Sequence, residues 1–161
     1  MNETIGISEN NREKVAHQLA KLLADEFLLY TKVLNAHWNV EGPDFHTVHL
    51  YFEDLYKQSA DIVDDVAERI RHPGHYTPAS LAKFLQLTHL TEQYAGNNDS
   101  ISLMKVLLAD HESIIVFLRE NINDFAYAHK DAGTSDYINS LMEKHERIAW
   151  MLRAHTKQVK A

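Results

Sequence analysis

Val15, Leu19, Leu22, Leu23 and Leu29 return to one side of the chain every three or four residues. This spacing lays a single apolar stripe along an α-helix from about Ser8 or Asn11 to Trp38. Ile138, Leu141, Ile148 and Leu152 repeat the pattern near the other end. No stretch alternates apolar and polar residues with period two, so no strand competes. Glycine and proline act as punctuation. Gly6 falls in an N-terminal tail, Gly42-Pro43 and Pro73-Gly74 bound one long segment, Pro78 opens a short one, and Gly96 and Gly133 bound another long one. Asp44 predicts the N-cap of a second helix running to about Arg71. Thr77-Pro78 predicts the cap and first-turn proline of a short helix through about Leu87. The Asn97-Asn98-Asp99-Ser100 cluster predicts the start of a third long helix, and Thr134-Ser135 the start of a fourth. The expected fold is all-α: a four-helix bundle with a short extra helix in the long crossover between helices two and three. It divides into a tail over 1–10 and a single domain over 11–161.

Composition narrows the setting. A chain of 161 residues is one domain's length, long enough for a substantial core. No apolar run approaches the ~18 residues that span a membrane, and no basic stretch followed by an apolar one marks a secretory signal. A cytoplasmic location and no membrane partner are therefore expected. The absence of cysteine excludes disulfides, thiolate metal sites and thiol oxidation by peroxide. The net charge is −7; residues 1–11 hold no Lys or Arg and two Glu, and the C-terminus offers only Lys157 and Lys160. Binding a phosphate backbone needs clustered cations. Direct DNA binding is expected to be weak or absent at neutral pH, with eleven histidines able to shift that balance in mild acid.

The chemistry concentrates on the second helix. His49 with Glu53, and Asp64 with Glu68, are pairs at i,i+4 spacing, so each pair shares one face and can grip one ion. His37 stands just across the Gly42-Pro43 turn. Nitrogen with several carboxylates suits ferrous iron among other divalent metals. Positions 49 and 64 lie roughly 22 Å apart along a helix axis, so the two pairs of one chain cannot share an ion. Yet 49/68 and 53/64 are both centred between Gln58 and Ser59. Two copies of the helix crossing antiparallel about a two-fold axis there would set His49 against the partner's Glu68 and Glu53 against the partner's Asp64, giving two identical shared sites. A solvated face stabilised by i,i+4 pairs is the alternative for any single pair; the common centre favours the shared site for the set.

The stretch His37-Trp38-Asn39-Val40-x-Gly42-Pro43-x-Phe45-x-x-x-His49, followed by Glu53 and Asp64-x-x-Ala67-Glu68-Arg69-Ile70, closely resembles the Dps family of ferritin-like mini-ferritins. The similarity extends from the first helix to Ala149-Trp150-Met151-Leu152. The resemblance implies a ferroxidase centre at a two-fold interface, twelve subunits around an iron-storage cavity, and hydrogen peroxide as the common oxidant. Carried over by motif, His37, His49 and Glu53 come from one subunit and Asp64 and Glu68 from its neighbour. The second carboxylate, often aspartate in relatives, is glutamate here, with the same charge on a longer arm. The Glu-x-x-His spacing that builds a di-iron site inside a ferritin bundle does not occur in this chain, so the bundle interior is expected to hold no ligand set.

Other residues have two readings. Trp38 either packs on the metal site and intercepts one-electron equivalents or is a plain interface aromatic. Tyr51 and Tyr56 read as packing residues; His46, His72 and His75 read as solvated, with extra metal ligands as the alternative. Asp131 and Asp136 flank Gly133 where the resemblance places a three-fold pore. Acidic rings draw cations, whereas acids at a helix start also serve as caps. The expected function is a ferroxidase and iron store that works with hydrogen peroxide and protects against oxidative damage. The alternatives are a DNA-compacting protein, or a passive binder of zinc or another divalent metal at the same residues.

Overall fold

The computed structural model describes residues 5–157. Residues 1–4 of the expected tail and Lys160 lie outside this range. Five α-helices follow in order: α1 (Glu9–Asn39), α2 (Phe45–Arg71), α3 (Leu81–Leu87), α4 (Ser100–Asn123) and α5 (Ala132–Thr156). Short turns make α1 with α2, and α4 with α5, antiparallel hairpins. Leu19, Leu22 and Leu29 of α1, Phe52 and Leu55 of α2, Leu107 and Leu118 of α4, and Ile138 and Leu152 of α5 meet in one core, each at most 3% exposed. Among the described residues no helix is long and apolar enough to cross a membrane.

The crossover is pinned by polar groups that α1 carries inward. Asp25 Oδ1 accepts from the Thr88 hydroxyl and the His89 amide, both at 2.6 Å. Lys32 Nζ donates to the Thr91 carbonyl at 3.1 Å and pairs with Asp110 of α4 at 2.5 Å. The short helix starts later than Thr77-Pro78 predicts. Ser80 is its N-cap, accepting from the Lys83 amide at 3.2 Å. The Thr77 hydroxyl instead donates to the Ala67 carbonyl at 2.8 Å, tying the connection to the end of α2. Phe84 then docks on Phe27 of α1, with ring centroids 4.7 Å apart.

Two other local expectations change. Asp44 precedes α2 but its side chain makes no cap bond; Oδ2 accepts from the Ser100 hydroxyl at 2.6 Å. Together with the Glu41 amide donating to the Asn98 carbonyl at 2.9 Å, this clasps the α1–α2 turn to the start of α4. Gly133 is not a break. The chain turns earlier, through a π-helical turn at Asp124–Ala128 and Lys130 in the left-handed conformation, φ 60°. Gly133 lies in the first turn of α5, where a Cβ would stand 3.1 Å from Arg69 Nη2. Its lack of a side chain leaves room for Arg69 to donate to the Thr134 hydroxyl oxygen, at 3.0 Å from Nε and 2.8 Å from Nη2.

Asp131 is spent on the same corner. It is 4% exposed, caps α5 by accepting from the Thr134 amide at 2.9 Å and hydroxyl at 2.6 Å, and stands 3.5 Å from Arg69. It serves as a capping residue, while Asp136 is exposed. Asp131→Ala is expected to cost about 1–2 kcal/mol of stability and Asp136→Asn to stay within about 0.5 kcal/mol, as measured by urea unfolding of the two variants.

Candidate metal centre

The Gly42-Pro43 turn places the end of α1 against the start of α2. Gly42 has φ +133°, a conformation that favours glycine, and Val40, 2% exposed, anchors the chain beside it. His37 and His49 consequently stack, with ring centroids 4.0 Å apart and planes 19° from parallel. Their backbones and rings are tied reciprocally: His37 Nδ1 lies 3.0 Å from the His49 carbonyl and His49 Nδ1 2.9 Å from the His37 carbonyl. A carbonyl oxygen only accepts, so both Nδ1 atoms carry the hydrogen. In a neutral imidazole this leaves Nε2 with the free lone pair, the arrangement that orients a metal-binding histidine. Phe45 stacks on His49 at 5.0 Å, and Tyr56 meets His37 edge-on at 5.1 Å.

Glu53 follows one turn after His49. It pairs with Lys57 at 2.5 Å. The hydrogen bond from Lys57, then its charge, holds the Glu53 carboxyl below the ordinary carboxylate value, with smaller contributions from His37 and His49. Two of the five expected ligands, His37 and His49, are therefore in contact, with Glu53 one turn further along α2. Asp64 and Glu68 are exposed on the far half of α2, roughly 22 Å and about 28 Å from His49 along the helix axis. Among the described residues, no group of three or more His, Asp or Glu gathers as it would around a metal ion within one chain. Trp38 is 69% exposed beside this region, and Trp150 is 62% exposed on α5. His46 and His72 are exposed. His75 faces Glu9 at 4.0 Å, at the opposite end of its own bundle from His37.

The bundle interior carries three ionisable side chains of its own. Glu26, His111 and His145 are 0%, 1% and 0% exposed and hydrogen-bonded in series. A sequence signal for them exists: each continues an apolar stripe, at Leu19-Leu22-Glu26-Leu29, Met104-Leu107-His111-Ile114 and Leu141-His145-Ile148. Looking only for Glu-x-x-His misses it.

A ferritin-like domain model matches residues 16–161. The chain is 34% identical to DNA protection during starvation protein 2 of Bacillus anthracis, over 91% of this chain and 99% of that one. It is 35% identical to the DNA protection during starvation protein of Helicobacter pylori, over 85% and 94%. The chain belongs to the Dps family of ferritin-like proteins. Among solved structures, the Dps protein of Vibrio cholerae O1 superposes with a TM-score of 0.90 at 26% identity, covering 98% of both chains. That protein is described as a member of a broad superfamily of ferritin-like diiron-carboxylate proteins. An uncharacterized low temperature-induced protein of Nostoc is 37% identical over 93% of this chain and 84% of its own length.

A cation approaching Glu53 has to displace Lys57. Exposed ion pairs of this kind are weak and screened by solvent, so Lys57→Gln is expected to tighten divalent-metal binding only slightly. Titration with ferrous iron under anaerobic conditions measures this, with thermal unfolding as the check that the fold is unchanged.

Proposed function

We propose that this Dps-family chain is a ferroxidase and iron-storage protein. It binds ferrous iron as substrate at centres shared between two subunits, oxidises it with hydrogen peroxide, and keeps the ferric mineral inside a hollow assembly of twelve cytoplasmic subunits. The observation that carries this reading is the stacked His37–His49 pair, with both Nδ1 atoms turned onto carbonyls and both Nε2 atoms free. That half-site holds nitrogen ligands and Glu53. Its complement, Asp64 and Glu68, is exposed on the same helix and too far along it to close the site within one chain. A two-fold crossing of α2 near Gln58 and Ser59 joins each half to the other's complement. The diiron-carboxylate description of the Vibrio relative supports iron rather than zinc.

The residues divide the work. His37 and His49 bind as oriented neutral donors, while Glu53, Asp64 and Glu68 supply the negative charge that favours the ferric product. Two ferrous ions each give one electron to a single peroxide, whose O–O bond breaks to two waters with uptake of two protons. Hydroxyl radical is not released in such a two-electron reduction. Trp38, in the chain beside His37, is placed to intercept a stray one-electron equivalent. Asp136 is the exposed acid left to draw cations toward an entry at the α5 start.

Two subunit variants test the shared site. His37→Ala/His49→Ala and Asp64→Ala/Glu68→Ala assemblies should each lose nearly all ferroxidase activity, and co-assembled mixtures should recover part of it in mixed dimers. Ferric absorbance after anaerobic loading, followed by peroxide or oxygen added separately, is the readout. A mixed assembly confirmed by mass but still inactive would overturn the interface model. The acidic charge of −7 per chain opposes a polyanion, so protection of plasmid DNA from iron and peroxide should occur without a mobility shift at pH 7.5 and moderate salt. The His37→Ala/His49→Ala variant should lose that protection.

A further inference from the structure

The iron chemistry leaves three buried ionisable side chains unused. His145 of α5 lies between Glu26 of α1 and His111 of α4. Its Nε2 is 2.8 Å from Glu26 Oε1, and its Nδ1 is 2.8 Å from His111 Nδ1. Because His145 spends both ring nitrogens, the three residues form a line rather than a cage around a common point. Beyond the line, Glu26 Oε2, His111 Nε2 and the nearby Tyr137 hydroxyl are buried without hydrogen-bond partners. Buried polar groups are rarely left so, which sets this place apart from the apolar side chains around it. It is also where the two hairpins are tied, since Glu26 belongs to the α1–α2 pair and both histidines to the α4–α5 pair.

We infer that Glu26, His145 and His111 form a buried relay with room for one hydrogen between the two imidazoles, and that this relay makes the junction of the two hairpins an acid-sensitive switch. Two nitrogens 2.8 Å apart share one hydrogen whichever ring owns it. With Glu26 as carboxylate, the line is electrically neutral when one of the two imidazoles is protonated. If both rings were imidazolium, two N–H groups would point at each other across that gap. The contact must then break, and the tie between hairpins breaks with it.

The surroundings offer the second cation no relief. On α1, Lys32 is committed to Asp110 of α4. From α2, Asp65 and Arg69 act on Tyr137, as does Glu26, and Arg69 is engaged with Thr134 and Asp131. Burial first, and the facing His145 second, hold His111 well below the ordinary histidine value. A group with a depressed value in the fold favours folding above its unfolded value, about 6.5, and loses that contribution as pH falls below it. Each pH unit below that point costs about tenfold in the folding equilibrium per proton excluded.

Urea unfolding of the full-length assembly at pH 7.5 and 5.5 tests the relay. Between these values the folding equilibrium of the wild type should fall by about tenfold more than that of His111→Gln, whereas the exposed-site control His46→Gln should follow the wild type. Equal pH dependence in wild type and His111→Gln would overturn the inference. If His111→Gln does not fold, amide hydrogen exchange of the wild type decides instead. Relative to intrinsic rates, protection around His111 and His145 should drop between pH 7.5 and 5.5 while protection around Leu55 in mid-α2 holds. Unchanged protection at both histidines would be evidence against the switch.

Discussion

The apolar stripes of α1, α2, α4 and α5 have nowhere to go but against one another, and that burial dictates the position of every polar group the stripes carry. Fully burying a Leu or Phe side chain contributes about 1.5–3 kcal/mol, and Leu19, Leu22, Leu29, Phe52, Leu107 and Leu118 are all at most 2% exposed. The combined gain outweighs the cost of bringing a few ionisable groups inside. Those groups then find partners in the neighbouring layer. Asp25 takes the crossover at Thr88 and His89, Lys32 takes Asp110, and Glu26 takes His145. Each contact joins segments far apart in the chain, so the polar interior adds register to the non-directional attraction of the core.

The candidate metal centre depends on the opposite property of α2. One face of the helix is buried through Phe52, Leu55, Ile62 and Val66, which leaves Asp64 and Glu68 exposed on another. Anchored on the core along one face, α2 keeps its exposed carboxylates at separations set by helical spacing. The stacked histidines are hydrogen-bonded to backbone carbonyls and flanked by Phe45 and Tyr56, so the turn fixes which ring nitrogen is engaged. That turn is in turn clasped to the start of α4 through Asp44 and Ser100. Preorganisation of this sort matters where ligands must meet a cation with little rearrangement.

Helix count, the crossover helix and the closeness of His37 and His49 across the Gly42-Pro43 turn were legible from the chain because they depend on local period and spacing. Errors arose where a residue's local tendency lost to a distant partner. Thr77 has the chemistry of a cap, but its hydroxyl goes to Ala67. Asp44 has it too, and its carboxylate goes to Ser100. Gly133 resembles a helix breaker and is instead the space that Arg69 needs.

The amino-acid sequence by itself determined the all-α bundle and the fifteen-residue offset between the two i,i+4 pairs of candidate ligands, since a helix converts spacing directly into position. Tertiary structure alone decided which nitrogen of His37 and His49 is left free, that Asp131 is spent on a cap, and that Glu26, His111 and His145 meet in the core. Those outcomes depend on contacts between residues brought together only when the helices pack. Linear spacing carries no information about the partner across a bundle.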